Sequence, residues 1–202
     1  MALCTIWTDD GEQRRMHGRG RGDVGGAAGL DRGADGLPPT LDIATLRAAY
    51  RDGRLTPRAV VEAVLARIAG SADPAVWISL RGRDDLLAEA DALAARDPAT
   101  HPLWGIPFAI KDNIDLAGLA TTAACPAFGV LPAEDAAVVA RLRAAGAIAI
   151  GKTNLDQFAT GLVGARSPHG APRSVFDPAY VSGGSSSGSA VAVAAGQVAF
   201  SL

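Results

Sequence analysis

The sequence predicts an α/β fold in which a mixed or parallel β-sheet is flanked by helices. Two short apolar runs, Phe108–Ile110 and Ala147–Ile150, are typical of buried strands. A helix predicted over residues 135–145 lies between them, so the segment indicates a βαβ-like unit. The chain has 202 residues, which is enough for one domain with a hydrophobic core.

Composition argues against several classes of protein. The formal net charge is −2, which favours no polyanionic partner, and no apolar run is long enough to span a bilayer. The apolar start Met1–Trp7 is short and has no basic flank, so we expect no secretory signal. Cys4 and Cys125 show no repeated spacing, which favours a reducing compartment. We therefore expect a cytoplasmic protein without a membrane or nucleic-acid partner.

Residues 1–37 are predicted to be a disordered or non-native N-terminal extension, and order is predicted over 38–202. The runs Gly18–Gly22 and Gly25–Gly29 have no apolar period and cannot bury enough surface to offset chain entropy. Arginines in this extension leave open a non-catalytic module that binds single-stranded nucleic acid. That alternative is weakened because no aromatic residue is interleaved with the arginines.

Three helices and a short strand are predicted before the first buried strand. The first helix is indicated by apolar residues at helical spacing, namely Ile43, Leu46 and Tyr50. The second begins at Thr56–Pro57, an N-cap followed by proline at the first helical position, and ends at Gly70. A strand over 74–80 and a third helix over 84–95, with acidic residues at its start, follow.

The helix of the βαβ-like unit is predicted to open with Glu134–Asp135 and to end at Gly146. Its core face would consist of Val138, Val139 and Leu142. The segment from Gly151 onwards is expected to leave the second strand. A long loop over 115–132 precedes the helix, and Cys125 within it has no neighbouring base, which favours a structural thiol.

Lysine is scarce in this chain. Only Lys111 and Lys152 are lysines among nineteen basic side chains, which suggests positions where arginine would not serve. Lysine can lose its proton when it is desolvated, whereas arginine effectively cannot. Lys111 directly follows the buried strand 108–110, where burial would lower its pKa. A side chain that reaches solvent from the strand end is the alternative.

A loop rich in glycine and serine, 181–190, precedes a run of small apolar residues. A flexible linker is one interpretation, but few residues follow the loop, and clustered hydroxyls also suit a catalytic loop. No lysine follows at the spacing of a phosphate-binding loop. His101 and His169 lack metal-ligand spacing, so we expect neither a metal nor a cofactor.

Three blocks, Gly105–Ile114, Gly151–Asn154 and Gly183–Ala190, occur together in this order. Together they resemble the amidase signature family, over roughly residues 38–202, a family whose fold is a mixed β-sheet core flanked by helices. The runs 153–168 and 73–78 are similar to its allophanate hydrolase branch. His169 stands where that branch would have tyrosine, a departure that does not touch the chemistry.

The resemblance implies roles for particular residues. The family uses a Ser–cis-Ser–Lys triad, in which Lys111 would be the lysine and Ser185 the bridging serine beside a cis peptide bond. The backbone around Ala159 would line the acyl pocket. The nucleophilic serine would lie beyond Leu202. On this view residues 38–202 are the N-terminal part of an amidase domain, truncated after the Gly/Ser-rich motif and inactive alone.

The implied reaction is hydrolysis of a small-molecule amide, with allophanate as substrate and ammonia and carbon dioxide as products. A homodimer is the expected assembly of the full-length protein. The alternative is a protein similar to the A subunit of glutamyl-tRNA amidotransferase, which works with partner subunits. The run Asp156–Gly161 argues against that alternative.

Overall fold

The computed structural model describes residues 36–38 and 40–202. The elements in chain order are α1 Ile43–Arg51, α2 Pro57–Ala69, β1 Trp77–Leu80, α3 Arg83–Ala94, β2 Pro107–Lys111, α4 Ala137–Ala144, β3 Ile148–Thr153, a 3₁₀ turn Gln157–Ala159, α5 Ser187–Ala194 and β4 Phe200–Ser201. Most of the predicted extension over residues 1–37 lies outside the described residues. Leu37, its last residue, is buried and belongs to the hydrophobic core.

A four-stranded sheet with the order β1-β3-β2-β4 forms the centre of the described residues. Strand β2 pairs in parallel with both β3 and β4. Strand β1 pairs antiparallel with β3. The sheet is therefore mixed, which confirms the predicted α/β class, and β2, α4 and β3 form the expected βαβ unit.

Hydrophobic side chains pack on both faces of the sheet. Ala109, Ile148 and Ile150 contribute to a large cluster with residues of α1, α2, α3 and α5. Phe108 and Ala149 point to a smaller cluster that includes residues of α4. Because side chains alternate along a strand, neighbouring residues of β2 and β3 serve opposite faces. Helices accordingly cover the sheet from both sides.

The second helix begins where the sequence predicts. The Thr56 hydroxyl oxygen accepts the Ala59 N–H at 3.2 Å, proline occupies the first turn and Gly70 is the C-cap. Val60, Val61 and Val64 are fully buried on its core face. Local capping signals and the apolar period agree here, so the prediction is confirmed.

Three predictions around the βαβ unit are corrected by the structure. Helix α4 begins at Ala137 rather than at Glu134–Asp135, because the Asp135 carboxylate accepts the Ala117 N–H and pairs with Arg143. Val138, predicted on the core face, has an exposed fraction of 43%. Strand β3 also continues to Thr153 instead of ending before Gly151.

No helix within residues 36–38 and 40–202 has both the length and the apolar character needed to cross a lipid bilayer.

Candidate active site

The two residues assigned to chemistry from the sequence meet in the structure. Lys111 is the last residue of β2, and Ser185 lies in the loop before α5. The Lys111 Nζ atom donates a hydrogen bond to the Ser185 Oγ atom at 2.8 Å. The peptide bond between Gly184 and Ser185 is cis. The fold thus brings together two side chains that are 74 residues apart in sequence.

Lys111 is half-buried at the edge of the sheet. Burial lowers the pKa of Lys111, and the negative charge of Asp156 raises it in part. A lysine with a lowered pKa loses its proton at a lower pH than an ordinary lysine, and the free amine can accept a proton from a hydroxyl. The hydrogen bond to Ser185 gives that proton a route.

Lys152 lies next to this site in a different environment. Its side chain is fully buried and its Nζ atom is 3.1 Å from the Asp112 Oδ1 atom. Nζ also donates to the Thr121 hydroxyl at 2.9 Å and to the Ala120 carbonyl at 3.4 Å. Burial lowers the pKa of Lys152, while the charge of Asp112 and its hydrogen bond raise it. Three acceptors around one nitrogen match the three donors of an ammonium group.

Asp112, which follows Lys111 directly, orders the loop over residues 120–124. Its carboxylate accepts hydrogen bonds from the N–H and the hydroxyl of Thr122, and its carbonyl oxygen accepts the Ala123 N–H at 3.0 Å. Ala123 and Ala124 both have positive φ, at 51° and 57°. The buried Lys152–Asp112 pair therefore holds a loop in a backbone conformation that alanine adopts rarely.

The predicted pocket residue Ala159 lies in the 3₁₀ turn 157–159, which packs against that loop. The Phe158 N–H donates to the Ala123 carbonyl at 2.9 Å, and the Gln157 side chain donates to the Ala124 carbonyl at 3.1 Å. Ala159 is exposed and has a φ of 59°. Its N–H donates to the Asp156 carbonyl at 2.7 Å. Its role in the acyl pocket stays a prediction.

Three other serines of the Gly/Ser loop form no hydrogen bond to a titratable side chain within the described residues, and the buried Ser187 Oγ atom has no partner there. Ser189 is buried and its Oγ atom lies 2.8 Å from the Thr153 hydroxyl and 3.1 Å from the Leu202 carbonyl. Ser187 is fully buried at the start of α5. Ser182 donates to the Gly183 carbonyl. Ser185 is therefore the loop serine whose hydroxyl meets a titratable side chain.

Other reactive side chains lie outside this arrangement. Cys125 is half-buried and its thiol forms no disulfide. His169 has a buried Nε2 atom without a hydrogen-bond partner in the described part of the chain. Within the same residues, no group of three histidine, cysteine, aspartate or glutamate side chains could hold a metal ion.

Sequence reasoning did not assign Asp112, Lys152 or Asp156 to the site. The scarcity of lysine was a signal for Lys152, because only two of the nineteen basic residues are lysines. Asp112 and Asp156 gave no comparable signal, since their carboxylates accept hydrogen bonds from backbone N–H groups eight to ten residues further along the chain, in loops whose path the sequence does not define.

Comparison with known proteins agrees with this fold. A family model described as Amidase matches residues 59–202, which is more than half of the chain. The chain therefore belongs to the amidase family, and the resemblance inferred from the three sequence blocks is confirmed.

Particular relatives narrow the comparison. The chain is 56% identical to the urea amidolyase of Saccharomyces cerevisiae over 127 residues, covering 62% of this chain and 7% of that protein. It is 43% identical over 168 residues to the A subunit of the glutamyl-tRNA(Gln) amidotransferase of Symbiobacterium thermophilum, covering 80% of this chain and 34% of that protein. The Kluyveromyces lactis allophanate hydrolase structure matches with a TM-score of 0.68 and 46% identity, covering 78% of this chain and 26% of that structure.

These matches are strong but span a small share of each relative. The chain covers 7% of the yeast urea amidolyase and about a third of the amidotransferase protein. The segment that matches includes Lys111 and Ser185, since both lie within the residues matched by the family model.

Proposed function

We propose that this chain supplies the proton-transfer part of an amide hydrolase that acts on allophanate. The hydrogen bond from Lys111 to Ser185 is the observation that carries the proposal. It joins a base whose pKa is lowered by burial to a hydroxyl that can pass on a proton. A serine hydroxyl is a weak nucleophile until a base removes its proton.

In the proposed reaction, a separate serine is the nucleophile. Ser185 gives its proton to the Lys111 amine and takes one from the hydroxyl of that attacking serine. The hydroxyl oxygen then bonds to the amide carbon. When the carbon–nitrogen bond breaks, the proton held by Lys111 returns through Ser185 to the leaving nitrogen, which departs as ammonia. Water hydrolyses the acyl-enzyme by the same relay, and the attacking hydroxyl is regenerated.

The choice of substrate rests on similarity to a urea amidolyase and to an allophanate hydrolase. Identity is higher to the yeast urea amidolyase, at 56%, than to the amidotransferase protein, at 43%. One of the solved structures that match is an allophanate hydrolase. The runs 153–168 and 73–78 favour the same branch. A cytoplasmic location is part of this proposal, because the sequence favours a reducing compartment.

A chimera tests the proposed reaction. The segment of the Kluyveromyces lactis allophanate hydrolase that matches this chain is replaced by residues 59–202. We expect ammonia release from allophanate, and a fall in kcat of about 10²–10⁴-fold in the Lys111→Met and Ser185→Ala variants. Ser182→Ala is the matched serine control and should keep the rate of the chimera. An unchanged kcat in the Lys111→Met chimera would show that Lys111 takes no part in the reaction.

A second candidate is the glutamine-hydrolysing component of an amidotransferase. The match to the A subunit of glutamyl-tRNA(Gln) amidotransferase extends over 80% of the chain, further than the match to urea amidolyase. The same chimera distinguishes the two, because ammonia release from glutamine and not from allophanate would favour this candidate.

A further inference from the structure

A second buried carboxylate, that of Asp156, lies beside the proposed relay. Asp156 is fully buried. Its Oδ2 atom accepts the Gly164 N–H at 2.9 Å and its Oδ1 atom accepts the Arg166 N–H at 2.8 Å. Within residues 36–38 and 40–202, Asp156 forms no ion pair. Two neutral donors hold the carboxylate in place but leave its charge uncompensated.

Asp156 contacts the backbone that carries Ser185. Its N–H donates to the Ser185 carbonyl at 3.0 Å. A Cβ atom at Gly184 or at Gly161 would overlap the Asp156 carboxylate, so glycine at both positions allows the carboxylate to approach. The Gly184 N–H is bonded to the Leu162 carbonyl at 3.0 Å. The residue before Ser185 is thus held between Asp156 and the loop over 161–166.

The charge of Asp156 also reaches Lys111. Burial lowers the pKa of Lys111, and Asp156 is the carboxylate whose charge opposes that effect. Asp112 is the neighbour of Lys111 in sequence, but its carboxylate is paired with Lys152. The Asp112 carboxylate therefore pairs with Lys152, and the Asp156 carboxylate is the one whose charge acts on Lys111.

A proton relay through Lys111 creates a positive charge in a partly buried place. Such a charge is costly unless an opposite charge lies near it. We propose that Asp156 is a positioning residue of this site: its carboxylate balances the Lys111 ammonium formed during proton transfer and packs against Gly184, next to Ser185. This inference rests on the proposed function, since it assigns Asp156 a role in the same relay.

Selective ¹⁵N-lysine labelling of the full chain tests the inference directly. Only Lys111 and Lys152 would give side-chain signals, because the chain has two lysines. The Nζ signal of Lys111 is followed as a function of pH in the wild type and in Asp156→Asn. We expect a pKa below the ordinary lysine value in the wild type and a further fall in Asp156→Asn, because the compensating charge is gone.

The sign of the change separates an electrostatic role from a purely structural one. If Asp156 only ordered the loop, its loss would admit water and raise the pKa of Lys111 towards the ordinary value. A rise or no change in Asp156→Asn would therefore overturn the inference. An ordinary pKa of Lys111 in the wild type would instead overturn the proposed function. Asp135→Asn, which alters a carboxylate bonded to Ala117 and Arg143, is the control and should leave Lys111 unchanged.

A double variant covers the case in which Asp156→Asn does not fold. Lys111→Met combined with Asp156→Asn removes both charges and leaves no uncompensated ammonium. If the single variant fails to fold and the double variant folds, the two charges are coupled as proposed. If both fail to fold, the role of Asp156 is confined to its backbone hydrogen bonds, and the electrostatic part of the inference is wrong.

Discussion

At the scale of the residue, the site depends on which of the two lysines is placed to give up its proton. Lys111 and Lys152 differ by the partners of their Nζ atoms. Lys111 donates to one serine hydroxyl, whereas Lys152 is surrounded by a carboxylate, a hydroxyl and a carbonyl. One environment suits an amine that accepts a proton, and the other suits an ammonium paired with a carboxylate.

Lys111 should leave a signature in the pH dependence of stability. Burial lowers its pKa in the folded state, with the charge of Asp156 opposing that effect. Between the lowered value and the ordinary value of about 10.4, the unfolded chain binds the proton and the folded chain does not. The free energy of unfolding therefore rises with pH across that window and is flat below it with respect to this group.

The Lys111→Met variant should lose that rise, because methionine does not titrate. Urea unfolding followed by tryptophan fluorescence between about pH 6 and 10 measures the difference between the two proteins. Lys152, whose pKa is also lowered by burial, contributes a rise of the same sign in both proteins and cancels. Parallel curves for wild type and variant would show that Lys111 titrates alike in the folded and unfolded chain.

Single residues also show where sequence reasoning ends. Lys111 and Ser185 could be selected because they stand in recognisable motifs. Asp156 stands in a motif too, but its function depends on the N–H groups of Gly164 and Arg166 and on its approach to Gly184. Those contacts arise from the path of a loop, which residue type and spacing do not determine.

At the scale of the element, local signals predict some boundaries and tertiary contacts override others. Helix α2 has a capping threonine, a first-turn proline and a terminal glycine, all within its own sequence. Helix α4 is predicted to begin at Glu134–Asp135, but the Asp135 carboxylate is bonded to Ala117 and Arg143. The carboxylate could not cap a helix while it served those partners, so the helix begins later.

In strand β3, tertiary contacts lengthen an element beyond the end that the sequence predicts. Its last residues, Gly151 to Thr153, look like the start of a polar loop in the sequence. In the structure they pair with β1 and β2 and are fully buried. The charge of Lys152 is accommodated because Asp112 follows β2, the neighbouring strand. Only the pairing of the two strands makes a buried lysine acceptable at that point.

Removing Lys152 should therefore destabilise the fold strongly. Lys152→Met leaves the buried Asp112 carboxylate without its counter-charge, at a cost of roughly 3–5 kcal/mol in the free energy of unfolding. Glu62→Gln is the control, because it breaks the exposed Arg58–Glu62 pair, and exposed pairs on a helix contribute only about 0.3–0.5 kcal/mol. Urea unfolding of both variants measures the contrast. Equal, small losses would show that the buried pair adds no net stability.

At the scale of the whole molecule, the site exists because α5 packs against the residues that flank two strands, Val76 before β1 and Asn154 after β3. Lys111 ends β2, whereas Ser185 lies in the loop before α5, so their distance depends on how closely α5 approaches the sheet. Gly188 provides the contact: its N–H donates to the Asn154 carbonyl at 3.0 Å. A Cβ atom there would overlap the Val76 carbonyl oxygen and the backbone nitrogen of Asn154.

Gly188→Ala tests that dependence, because helix propensity and packing predict opposite signs. Propensity alone would stabilise the helix by up to about 1 kcal/mol. Overlap with two backbone segments should instead lower the free energy of unfolding by about 1–3 kcal/mol. It should also shift the ¹⁵N signal of Lys111, since displacement of α5 lengthens the Lys111–Ser185 hydrogen bond.

Gly129→Ala is the matched control. A Cβ atom at Gly129 would make only ordinary contacts, 3.7 Å from the nearest atom, so stability should change by at most about 0.5 kcal/mol and the Lys111 signal should stay in place. A Gly188→Ala protein that is as stable as the wild type, with an unshifted Lys111 signal, would show that the sheet and α5 tolerate separation. The close approach at Gly188 would then not be what sets the geometry of the site.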